Sequence, residues 1–83
     1  MMELHVRRQD LEIEWLDEGR CGWSPPGCRV THIASGVAGE SRMFGNRQEN
    51  RRTAMYVLAQ RMLSLGADRV VVESSNADPI VAG

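Results

Sequence analysis

"GCRVTHIASG", residues 27–36, is the stretch from which the fold is read. Its "CRVTHI" has strand character. "ASG" then supplies a turn. "VAGESRM", residues 37–43, reads as the return strand, with Val37 and Met43 on one face and Glu40 and Arg42 on the other. The pair predicts an antiparallel hairpin around Ala34-Ser35-Gly36. Gly39 inside the return strand weakens it or marks a bulge.

Upstream, "MELHV" alternates Met2, Leu4 and Val6 with Glu3 and His5, which suits a short strand. "DLEIEWL" alternates more cleanly, with Leu11, Ile13 and Trp15 on one side and Glu12, Glu14 and Leu16 on the other. Between it and the hairpin, "DEGRCGWSPPG" packs three Gly and two Pro into eleven residues, so it is a loop.

Downstream, Asn46 precedes a helical stretch and Glu49 follows three residues later, a capping-box-like start with Asn as the cap. Ala54, Leu58, Met62 and Leu65 recur at helical spacing, and Met55, Ala59 and Leu63 widen the stripe. Arg47, Gln48, Arg51, Arg52, Gln60 and Ser64 are assigned to the opposite face. Gly66 stands where a C-terminal glycine cap belongs, so the helix is expected over 47–65. "DRVVVESS" offers one more strand, and "NADPIVAG" is expected to fray. The element order is β-β-loop-β-β-α-β. The expected class is α+β, a small mainly antiparallel sheet with one long helix packed across it.

Eighty-three residues amount to a single domain, 1–83. No apolar run is long enough to span a bilayer and no leader pattern opens the chain, so a cytoplasmic location is expected. Two cysteines, Cys21 and Cys28, are too few for a disulfide scaffold, and their spacing fits no standard zinc pattern. Neither a metal nor another cofactor is predicted. All ten basic residues are Arg. Their layout is uneven: net −4 over residues 3–18, +5 over 19–63 and −2 over the remainder. A basic centre between acidic ends can face a phosphate backbone.

In this order and spacing, the chain resembles the catalytic domain of class I peptide chain release factors and their ribosome-rescue relatives, over about residues 9–63. "DLEIEW" is similar to that family's first strand, Asp-Leu-x-Ile-Asp. "RVTHIASG" resembles its Arg-hydrophobic-Thr-His-Ile-Pro-Thr-Gly, and Asn50, Ala54 and Met55 fall at the matching distances from Gly36. The resemblance implies a release-factor-like fold and a catalytic loop where residues 17–28 lie. The family's Gly-Gly-Gln tripeptide, which places a water against the peptidyl-tRNA ester, has no counterpart there. The segment holds no Gln, and Gly19 and Gly22 are not adjacent. At the family's Arg-Ser-Gln, implicated in ribosomal RNA contact, this chain has Gly45-Asn46-Arg47, and no basic residue follows Arg69.

These features predict no enzyme. They predict a non-hydrolytic, translation-related module that binds the ribosome or structured RNA, with no membrane and no small-molecule substrate. The candidate phosphate-facing residues are Arg29, Arg42, Arg47, Arg51 and Arg52, the last three at a helix start where the dipole also favours anions. The alternative is a protein-interaction module that uses the 17–28 loop, with Trp23, Pro25 and Pro26 meeting a translation-related protein or a second copy. Trp23 either anchors a partner or folds back over the sheet. His32, with no nucleophile or carboxylate beside it in the pattern, reads as a structural hydrogen-bonding histidine.

Overall fold

The computed structural model describes residues 2–16, 27–43, 45–74 and 78–83. Its elements are β1 (Glu3–Val6), a 3-10 turn (Arg8–Asp10), β2 (Leu11–Leu16), β3 (Gly27–His32), β4 (Ala38–Ser41), α1 (Arg47–Ser64), β5 (Arg69–Val72) and β6 (Ile80–Ala82). The class is α+β, with one helix packed against antiparallel-rich sheets.

Where a single sheet was expected, the described strands form two sheets of three. The hairpin sheet runs β2-β3-β4 and is antiparallel throughout, with Ile13 opposite Val30 and Val30 opposite Gly39. The mixed sheet runs β1-β5-β6, with β1 parallel to β5 and β6 antiparallel to it. The segment expected to fray therefore supplies a strand. Three residues are too few to show a period, but Ile80 and Ala82 face the core while Val81 points out, so pairing to β5 buries two side chains.

The helix α1 lies against β3 and β4 on one side and β5 and β6 on the other, joining the sheets through one core. Val6, Val30, Leu58, Val70 and Val72 are fully buried in it. Complete burial of each such side chain stabilises by about 1.5–3 kcal/mol. Both ends of α1 follow the sequence reading. The Asn46 side chain accepts from the backbone N–H of Gln48 at 2.8 Å and of Glu49 at 3.3 Å. Gly66 closes the other end at φ 118°, in the left-handed region that glycine tolerates best. Leu65 is not part of the apolar stripe: the helix stops at Ser64, and Leu65 is 73% exposed.

Gly39 is neither a weak point nor a bulge but the place where the helix touches the sheet. A Cβ there would lie 2.1 Å from the Ala54 carbonyl oxygen and 2.4 Å from the Leu58 nitrogen. With backbone against backbone at that crossing, only glycine fits. One turn toward the helix start, Asn50 is fully buried and its Oδ1 accepts from the Ser41 hydroxyl at 3.2 Å. The return strand is also shorter than expected, ending at Ser41, which leaves Met43 exposed.

Candidate nucleic-acid interface

Trp15 occupies the inner-face register of β2, opposite Cys28, yet it is 40% exposed because it lies at the rim where α1 begins. There the Arg47 guanidinium carbon sits 5.5 Å from the Trp15 ring centroid, within cation–π range. Arg47 is the first residue of α1, so its charge, the ring and the positive end of the helix dipole share one rim.

Arg51 was placed on the solvent face of the helix, and the structure corrects this. It lies three, four and seven residues before Ala54, Met55 and Leu58 on the buried stripe and is half-buried, with no hydrogen-bond partner at Nε. It is near enough to Cys28 for its charge to act on the thiol. Burial pushes the Cys28 thiol up, the Arg51 charge pulls it down, and burial prevails. Cys28 is free, fully buried and therefore an inert side chain of the core. Arg52 takes the other flank of α1, lining a groove of about 370 Å³ with Glu49, Tyr56 and Ile80. Its Nη1 is buried without a partner.

Arg29 and Arg42 do not join the helix arginines. Residue 29 alternates with Cys28 and Val30, which face α1, so its side chain emerges on the outer face of the hairpin sheet. There Arg29 donates to Glu40 Oε2 at 3.1 Å and pairs with Glu14 at 3.5 Å, while Arg42 donates to Glu40 Oε1 at 2.9 Å. The two guanidinium groups hold the Glu40 carboxyl below its ordinary value, the Arg42 hydrogen bond foremost. Arg29 and Arg42 thus stand on a different surface from Arg47, with the thickness of the sheet between them.

His32 is hydrogen-bonded, as expected. Its Nδ1 shares a 2.7 Å hydrogen bond with the Ser35 hydroxyl, which also accepts from the Val37 N–H at 3.2 Å, bracing the hairpin turn. The candidate loop residues Trp23, Pro25 and Pro26, together with Cys21, lie outside the described residues. Among the described residues no three metal-binding side chains cluster, and no helix is long and apolar enough to cross a membrane.

The sequence reading passed over Trp15 as interface material. Strand alternation assigned it to the buried side, and only the position of the helix start along β2 exposes it. Glu14 and Glu40 were visible as outward-facing acids, but their pairing with Arg29 needed the strand register. In comparisons with known proteins, no family model, curated protein or solved structure matches this chain.

Proposed function

We propose that this chain is a release-factor-like module without the Gly-Gly-Gln loop, working in the cytoplasm, that binds ribosomal or other structured RNA without hydrolysing peptidyl-tRNA. The observation that carries this reading is the Arg47–Trp15 pair at the N-terminal end of α1. A guanidinium can meet a phosphate, a half-exposed ring can stack on an unpaired base, and the helix start favours negative charge. Arg51 and Arg52 add two positive charges within the next turn and a half. The fold is compatible with the resemblance. β2 pairs with β3, β4 completes the sheet, and α1 crosses its inner face with Asn50, Ala54 and Met55 fully buried.

Co-sedimentation with ribosomes and filter binding to structured RNA test this reading. Three arginine–phosphate contacts imply that affinity falls about 20–40-fold between 50 and 200 mM salt. Arg47→Glu and Trp15→Ala, both at exposed positions, are expected to weaken binding about tenfold each. Absence of a ribosome-bound fraction at low salt would remove the proposal, and release of peptide from peptidyl-tRNA would overturn its non-hydrolytic half.

A further inference from the structure

The edge of β4, unpaired among the described strands, is a second surface distinct from the helix start. Its groove, about 490 Å³, is lined by Arg29, Glu40, Arg42, Met43 and Arg61 beside the strand backbone, with no aromatic side chain among the described lining residues. It offers instead an open strand. The Val37 carbonyl faces β3, accepting from the His32 N–H at 2.8 Å. Backbone groups alternate along an extended strand, so Ala38 and Glu40 turn theirs away from β3. The Ala38 carbonyl confirms the direction: it accepts from Arg61 Nη1, reaching over from α1, at 2.8 Å. Among the described residues, the N–H of Ala38 and both backbone groups of Glu40 remain open along this edge.

We infer that the β4 edge captures an extended acidic peptide segment of a partner protein by strand addition. Alternating backbone donors and acceptors are matched by another polypeptide, not by a phosphodiester chain. Among the described residues the charge is complementary to acid: three guanidinium groups line the groove against the carboxylates of Glu40 and of Glu14, which pairs with Arg29. The exposed Met43 side chain at one end provides an apolar contact for the incoming strand. This surface is separate from the helix start, so the inference does not depend on RNA binding there.

The test uses a fluorescein-labelled peptide alternating Glu with Val or Thr. Its controls are the same peptide N-methylated at every second backbone nitrogen and a version with Gln for Glu. Anisotropy with the intact protein is expected to show saturable binding of the acidic peptide. The N-methylated and Gln peptides are each expected to bind about tenfold more weakly, a loss equivalent to one or two hydrogen bonds or ion pairs. Arg61→Glu, at an exposed helix position, is expected to reduce affinity about tenfold while leaving RNA binding at the helix start unchanged. Amide shifts should concentrate at Ala38 and Glu40. Equal binding of the N-methylated peptide, shifts confined to the start of α1, displacement of the peptide by an RNA oligomer, or no saturable binding would each overturn the inference.

Discussion

The hairpin sheet and the mixed sheet flank the same helix, yet they meet it in different ways. The hairpin sheet is built from neighbouring segments and approaches α1 backbone to backbone at Gly39. The mixed sheet unites strands from near the two ends of the chain, and meets the helix through the side chains of Val70, Val72 and Ile80. One half is sensitive to added volume and the other to removed volume. The outer face of the hairpin sheet also carries an ion-paired ladder, whereas β6 turns Val81 outward.

The contrast is tested most severely by Gly39→Ala. The new methyl meets the Ala54 carbonyl and the Leu58 nitrogen, neither of which can rotate away, so a loss of roughly 3 kcal/mol or more is expected in urea denaturation. An unchanged midpoint would mean that the helix does not rest on β4. The matching change in the mixed sheet is Val72→Ala, which empties a fully buried site and should cost about 2 kcal/mol by the same measurement. If the two variants lost equal stability, the distinction between clearance and filling would collapse.

Asn50→Ala sharpens the contrast inside the hairpin half. It leaves the buried Ser41 hydroxyl without its acceptor and should cost about 1–3 kcal/mol. The smallest effect belongs to the exposed ladder. Glu40→Gln removes its carboxylate, and exposed ion pairs contribute only about 0.2–1 kcal/mol. Because the folded Glu40 pKa is lowered, its contribution is present above the unfolded value near pH 4.5 and is lost as pH falls through the folded value. The stability difference between Glu40→Gln and the parent should therefore be seen at pH 7 and vanish in acid. A difference that grew below pH 4.5 would reverse the assignment.

Much of the candidate interface was legible only in fragments. The helix, with its Asn46 cap and Gly66 end, could be read because its signals are local and repeat every turn. Arg47, Arg51 and Arg52 were placed correctly along the chain, but polarity alone assigned Arg51 to solvent. A charged side chain at the open first turn of a buried stripe can run its methylenes along the core, an option that polarity cannot express. Trp15 was misjudged the other way, since alternation says which side of a strand a residue takes but not whether anything lies there.

By itself the sequence determined the α+β class, the hairpin around Ala34-Ser35-Gly36 and the position of α1, because turn chemistry and periodicity act over a few residues. Tertiary structure alone decided that the strands divide into two sheets, that β1 runs parallel to β5, and that Ile80–Ala82 is a strand. It also decided that Arg29 and Arg42 stand on a different surface from Arg47. Strand partners distant in the chain are selected by the surface they bury together, and that surface exists only once the helix lies between them.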